Sequence, residues 1–566
     1  MIQPVVNIAE ICALKGVEQV VLSPGSRCAP LTIAFARHPK LTVRTVSDER
    51  AAAFIALGMA LTSGKPTVLV CTSGTAALNY APAVAEAYFQ EVPLLVLTAD
   101  RPPEWIDQLD GQTIRQQNVF GQHIKKSYTF PVDLAHPDAV WQSERQISEA
   151  LNEAMAYPAG PVHINVPLRE PFYPAPGTEL KYDSTVKIIE EEPQAYQLTE
   201  FQSLRLQQEI MKYKRVVVLA GHMQQDLRLL QRIKAFADTT GAILVGDVIS
   251  NTHTLDQAVR YQDIIFANTD QNTLAQLQPD LLISFGKSTI SKALKLYLRK
   301  HKPNAHWHVQ PAGQVADTFQ SLTKIIRCTP YSFFASMAGS TKNEASFVKA
   351  WEQSTQAASA FLQKYAGKQQ YNELTLVAMV LEQLPKQSKL HLANSMSVRY
   401  ANIAGLMPEQ EVEVYANRGT SGIDGSNSTA VGCALTSQST VTLLTGDLAF
   451  FYDRNGLWHN YLPPNLRIVL LNNHAGGIFR LIDGPKQQPE LEPYFETKQA
   501  LDAQNTARDF NLNYTAVHTF SELQKALPAF FAKDNGAAIL EIFTDNASNA
   551  ADFEQYRQAV RALALG

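Results

Sequence analysis

This chain lacks a net positive charge. Its formal charge is −4 over 566 residues and no dense Lys/Arg block occurs, so nothing draws in a polyanion and nucleic acid is not an expected partner. Cysteine is sparse as well. The five residues (Cys12, Cys28, Cys71, Cys328, Cys433) never stand at CxxC spacing, which argues against a zinc site or a disulfide framework and for free thiols in a reducing cytoplasm. Unbroken apolar runs of membrane length are missing. The uncharged stretches 66–85 and 425–446 are interrupted by Gly, Ser, Thr or Asn and read as strand, loop and buried helix, so no membrane span is expected. The opening MIQPVVNIAEICALKG carries Glu10 and no basic segment ahead of an apolar one, unlike a signal peptide. GxGxxG is absent too: LAGHMQQD and SFGKSTIS do not match it, which leaves no motif for FAD or NAD.

What is present is a globular balance of 45% apolar and 18% charged residues, in a chain long enough for about three domains. Short β-branched runs alternate with helical stretches throughout, the pattern of α/β domains with parallel sheets. The first block has strand candidates at 19–22, 42–46, 67–71, 94–98 and 162–166, and ends in REPFYPAPG. A second block holds RVVVLAGHM, 242–248, 279–286 and HWHVQPAG; a polar, helical stretch follows at 340–369. The third has candidates at 389–393, 413–416, 441–444, 468–471 and 538–542. The expectation is three doubly wound parallel-sheet domains over 1–178, 195–338 and 370–566, with ligands at the carboxyl ends of the strands.

Chemistry gathers at those ends. In the third block TVTLLT runs into Gly446-Asp447, and 24 residues later RIVLL runs into Asn472-Asn473. Two neighbouring strands thus deliver a carboxylate and an amide to one edge, an oxygen set suited to Mg²⁺, beside a glycine that permits close approach. Singly, either residue would ordinarily be a cap or an Asx turn. In the first block Glu49 precedes AAAFIALGMAL, apolar all round and therefore buried. A first-turn acid is ordinarily a dipole partner, yet at so buried a helix mouth it suffers desolvation unless something polar meets it. Arginines collect in the same kind of loop: Ser26-Arg27 in SPGSR, Arg101 in TADRPP, Asn394, Ser395 and Arg399 in NSMSVR, and Arg418 in NRGTSGIDG. Any one of them is ordinarily a solvated loop charge; four at one edge point to carboxylate recognition.

The GD–NN pair resembles the signature of the thiamine-diphosphate-dependent enzymes, with Leu448 where the usual third residue is Gly. The resemblance implies a pyrimidine-binding first domain, a central domain and a diphosphate-binding third domain. It also implies Mg²⁺ (or Mn²⁺) held by Asp447, Asn473 and the Ala475 carbonyl beside Gly446, Glu49 on N1′ of the aminopyrimidine, and a homodimer or homotetramer with sites shared between subunits. SPGSR, SDERAAAFIALG, TSGTA, TADRPP, GQTIRQ, NSMSVR, NRGTSGIDG, GDLAFFYD and NNHAGGIF narrow the likeness to the menaquinone-pathway branch. That branch decarboxylates 2-oxoglutarate and adds the resulting carbanion 1,4 to isochorismate. By the same likeness Arg27, Ser395, Arg399 and Arg418 bind carboxylates with Ser26, Asn394 and Gln112 nearby. Arg101 lies at the cofactor or substrate, Ile423 props the bent cofactor, and Ile478 and Phe479 line the site. Lys292 matches a lysine facing the second substrate; Ala293 stands where the branch often has Arg, and Lys295 is the alternative contact. Two other readings stay open: an acetohydroxyacid-synthase-like carboligase or 2-oxo-acid decarboxylase, which the arginine-rich pocket disfavours, and a non-catalytic scaffold of doubly wound domains.

Overall fold

The computed structural model describes residues 2–565 except 338, 340 and 369; the domain limits expected at 1, 338 and 566, and both ends of the 340–369 stretch, lie outside the described residues. Three six-stranded sheets are present, and every strand pairing in them is parallel. The first is built from β1 (Gln19–Leu22), β2 (Thr42–Thr45), β3 (Thr67–Cys71), β4 (Leu94–Asp100), β5 (Lys126–Thr129) and β6 (Pro161–Pro167) in the order β2-β1-β3-β4-β6-β5. The second contains β7 (Val216–Ala220), β8 (Ile243–Gly246), β9 (Ala258–Val259), β10 (Leu281–Phe285), β11 (Ala305–Val309) and β12 (Lys324–Ile326), ordered β12-β11-β10-β7-β8-β9. The third contains β13 (Lys389–Leu392), β14 (Glu413–Ala416), β15 (Val441–Gly446), β16 (Leu466–Asn472), β17 (Asn513–Val517) and β18 (Ala538–Phe543), ordered β14-β13-β15-β16-β18-β17. First and third sheets therefore share one topology.

Central strands such as β3, β4 and β6 are buried along their whole length, as strands covered by helices on both faces must be. They are also the strands that the apolar runs predict. Four strands carry no such run, and all four are at or next to a sheet edge: β5 (KSYT), β9, β12 and β17 (NYTAV). With one flank open to solvent they need no continuous apolar surface.

First and third domains meet through two helices, Glu49–Ser63 and Ser426–Leu435, both buried over most of their length. A Cβ on Gly58 would come within 2.0 Å of the Thr429 carbonyl oxygen, and one on Gly432 within 2.0 Å of the Ile55 carbonyl oxygen. The backbones touch because both residues lack side chains. The Ala345–Ala366 helix buries Phe347 and Trp351 in a core that also takes residues of the central and third sheets. All five cysteines are free and buried. No helix among the described residues is long and apolar enough to cross a membrane.

Candidate active site

The third sheet brings the GD and NN segments together. In its register Gly446 faces Leu471 across the β15–β16 pair, so Asp447 and Asn473 leave adjacent strands at the same carboxyl edge. Asp447 opens the Asp447–Tyr452 helix, is 3% exposed, and accepts from the Leu448 amide at 2.8 Å and from Gln499 Nε2 at 2.8 Å. Burial pushes its carboxyl up from the usual range, offset in part by the Gln499 bond. Asn473 Oδ1 accepts from the Ala475 amide at 3.1 Å, so the two are already folded into one Asx turn. Nothing lies within 4 Å of where a Gly446 Cβ would be, and its φ of −93° does not demand glycine. Neither internal packing nor backbone strain accounts for that glycine, and the open space beside it gives room for a phosphate to approach. Buried carboxylate, amide oxygen and open glycine fit a diphosphate–Mg²⁺ group. Among the described residues no three His, Cys, Asp or Glu converge on a metal position.

Two further acids lie behind this edge. Asn473 Nδ2 donates to Glu373 Oε1 at 2.7 Å, and Asn472 Nδ2 donates to Glu541 Oε1 at 2.7 Å. Both glutamates are buried. Burial and the neighbouring Asp447 charge push the Glu373 carboxyl up to about 7, while the Asn473 bond opposes them. Glu373 reads in the sequence as an ordinary first-turn acid behind the cap Asn372; nothing local marks it.

The cationic residues divide. Ser395 has φ 72° and ψ −127°, a conformation costly for any side chain and found where a site over-determines the backbone. Its carbonyl takes a hydrogen bond from Arg399 Nη1. Asn394, buried, ties the loops after β13 and β14 together: its Nδ2 donates to the Asn417 and Gly422 carbonyls at 2.7 Å each, and its Oδ1 accepts from Arg418 Nη1 at 2.8 Å. Burial lowers the pKa of Arg399, and burial with Arg399 repulsion lowers that of Arg418. Lys295 belongs to the same group. Its pKa is lowered by burial and then by Arg418, Arg299 and Arg399, with Asp247 opposing, and with Arg418 it lines a cavity of about 380 Å³ between the three domains. Lys292, at the start of the same helix, is exposed instead.

In the first domain Arg27 is buried, donates to the Leu168 carbonyl at 3.0 Å and lies 4.5 Å over the Phe172 ring. Its Nε, like that of Arg418, is buried without a hydrogen-bond partner among the described residues. Ser26 and Gln112 are exposed, Gln112 at φ 55°. Arg101 differs from the others, being held 2.6 Å from Asp110 Oδ2. Ile423 is 38% exposed, and Ile478 and Phe479 are half-buried on one short helix. Glu49 is partly exposed at the mouth of its helix and accepts from Asn79 Nδ2 at 3.2 Å. Its flanks dock on the third domain of the same chain: Asp48 accepts from Asn455 Nδ2 at 2.8 Å and Arg50 donates to the Tyr452 carbonyl at 2.8 Å. Two residues that sequence reasoning misses complete the frame. Buried Glu86 accepts from the Gly419 and Thr420 amides at 2.6 Å, fixing the Arg418 loop on the first domain. Gln116 accepts from the Gly74 amide at 2.8 Å and donates to the Ala99 carbonyl at 3.1 Å.

The likeness to known proteins follows the same division. Residues 6–127 match the family described as thiamine pyrophosphate enzyme, N-terminal TPP binding domain, residues 187–392 the middle domain of thiamine pyrophosphate enzymes, and residues 400–542 the C-terminal TPP binding domain. Fold and site together define a three-domain thiamine pyrophosphate enzyme. Among its relatives the 2-succinyl-5-enolpyruvyl-6-hydroxy-3-cyclohexene-1-carboxylate synthase of Cytophaga hutchinsonii is 46% identical over 560 residues, 99% of either chain. Those of Flavobacterium johnsoniae (37% over 559 residues, 97% of either chain) and Porphyromonas gingivalis (36% over 558, 97% of this chain and 96% of the relative) carry the same name. The chain belongs to this synthase family.

Proposed function

We propose that the enzyme decarboxylates 2-oxoglutarate and adds the resulting carbanion 1,4 to isochorismate, yielding 2-succinyl-5-enolpyruvyl-6-hydroxy-3-cyclohexene-1-carboxylate and CO2 in menaquinone biosynthesis. The observation that carries the reading is that Arg399 and Arg418, on the third-domain edge that also carries Asp447 and Asn473, gather with Lys295 of the central domain, the two arginines hydrogen-bonding only neutral oxygens among the described residues. These half-buried cations oppose one another, with Asp247, Asp263 and Glu86 compensating in part, so added anions are favoured there, and both substrates are carboxylates. Pyruvate, with a single carboxylate, would leave part of that charge unmatched, which disfavours the acetohydroxyacid-synthase-like alternative.

When bound, thiamine diphosphate supplies the electron sink for decarboxylation and bond formation. Glu49 holds the proton at N1′ of its pyrimidine. Asp447, Asn473 and the Ala475 carbonyl would hold Mg²⁺ or Mn²⁺, Gly446 would leave room for the diphosphate, Ile423 would prop the bent cofactor, and Ile478 and Phe479 would line the site. Arg27, Arg399 and Arg418 orient substrate carboxylates with Ser26, Asn394, Ser395 and Gln112. Lys295 takes the place beside them that Lys292 holds by sequence position, and Arg101 braces its loop. Residues 1–178 act as the pyrimidine domain and 370–566 as the diphosphate domain. Glu49 bonds inside its own domain, and Leu78, Trp105, Leu109 and Ile423 remain exposed; apolar surface of this kind supports subunit pairing, with each site completed by a second subunit. The five buried thiols fit a reducing cytoplasm. The test is CO2 release from 2-oxoglutarate and from pyruvate, with and without isochorismate, followed by the product's mass. Release from 2-oxoglutarate and a product of the expected mass are the outcome; preference for pyruvate overturns the assignment.

A further inference from the structure

A side-chain amide offers a cation either its oxygen or its NH2 group, and the two orientations fill nearly the same space. Only one of them binds a metal. At the NN segment both asparagines are turned the same way. Their NH2 groups run back to Glu373 and Glu541, at 2.7 Å each, and their oxygens accept from the His474 and Ala475 amides at 3.1 Å. Glu373 is itself caged: Thr544 Oγ1 donates to its Oε1 at 3.3 Å, and its own amide donates to Asn549 Oδ1 at 3.1 Å. Asn549 in turn donates to Thr544 Oγ1 at 2.9 Å.

Glu373 is pinned through its own amide by Asn549 and through its Oε1 by Thr544, so the acceptor it offers to Asn473 Nδ2 is fixed in place and decides which way that amide faces. We propose that Glu373 is a positioning residue for the metal: it holds the Asn473 amide with its oxygen toward the ion and adds a buried acceptor behind it. The inference rests on Asp447 and Asn473 being the metal ligands.

Mg²⁺ is titrated into the full-length apoprotein at fixed thiamine diphosphate, with calorimetry as the readout. Glu373→Ala lowers Mg²⁺ affinity about 10- to 100-fold, the range usual for groups that orient a ligand. Glu373→Gln, which keeps an acceptor oxygen for Asn473 Nδ2, restores most of it and guards against misfolding of the alanine variant. In an Asn473→Ala background Glu373→Ala has no further effect on Mg²⁺ affinity. Equal Mg²⁺ affinity of folded wild type and Glu373→Ala, or undiminished loss in the Asn473→Ala background, overturns the proposal. Wild type that binds no Mg²⁺ with thiamine diphosphate overturns the cofactor reading itself, a distinguishable failure.

Discussion

Buried polar side chains in this molecule fall into those with evident partners and those without. His391, on β13, is 1% exposed and neither ring nitrogen has a hydrogen-bond partner among the described residues. Burial holds its pKa down at about 4, against an ordinary 6.5. Between these values the unfolded chain binds a proton that the folded chain refuses, so the neutral ring's contribution is whole above pH 6.5 and is lost as pH falls toward 4. Replacing it by Leu should therefore shrink the stability difference between pH 7 and pH 5 by about 2 kcal/mol. Thermal midpoints of both proteins at the two pH values check this; an unchanged difference would mean that the ring is not what makes the fold acid-sensitive.

Helix crossing sets the next scale. Gly58 and Gly432 sit where the helices of the first and third domains approach to backbone contact. Alanine at Gly58 must push a carbonyl oxygen away by more than an ångström, in a helix whose other residues are packed. A cost of upwards of about 3 kcal/mol is expected, at the high end for overpacking. Gly64 ends the same helix at φ 66° with open space around it; alanine there meets only the left-handed backbone penalty, about 1 kcal/mol. Melting curves of the two variants should rank in that order. The reverse ranking would show that the domains do not depend on this crossing. Glu86 belongs to the same scale, since one buried carboxylate from the first domain fixes the loop that carries Arg418.

At the scale of the whole molecule the proposed role of Glu49 requires it to meet a cofactor held by the third domain. Within one chain its neighbours Asp48 and Arg50 are spent on contacts with Asn455 and Tyr452, while Glu49 bonds to Asn79. A site shared between subunits makes a definite forecast. Glu49→Gln is expected to lose activity at least about 100-fold, the usual range for removing an acid–base group, and Asp447→Ala to lose activity through loss of metal-dependent cofactor binding. Co-expressed, the two form mixed oligomers in which one pairing has both groups intact, and roughly a quarter to a half of wild-type activity per site returns by simple combinatorics of shared sites. No recovery in mixed oligomers of demonstrated composition would place both groups in a single chain's site.

Much of this was legible without coordinates, because the features concerned are local. Apolar runs mark strands buried on both faces, and the loops that follow parallel strands lie on one edge by topology alone, so the Asp447–Asn473 pair, Glu49 and the arginines could be named from spacing. The outer strands β5, β9, β12 and β17 could not, since a strand with an open flank needs no apolar run. Nor could the choice between Lys292 and Lys295 be made, as both are lysines near one helix start and only packing buries one among arginines. Glu373 and Glu86 were invisible for the same reason, and Gln116, though inside the GQTIRQ motif, gave no sign of what it bonds. Each acts on residues distant in the chain, and what it touches is decided by long-range packing, which no local pattern encodes.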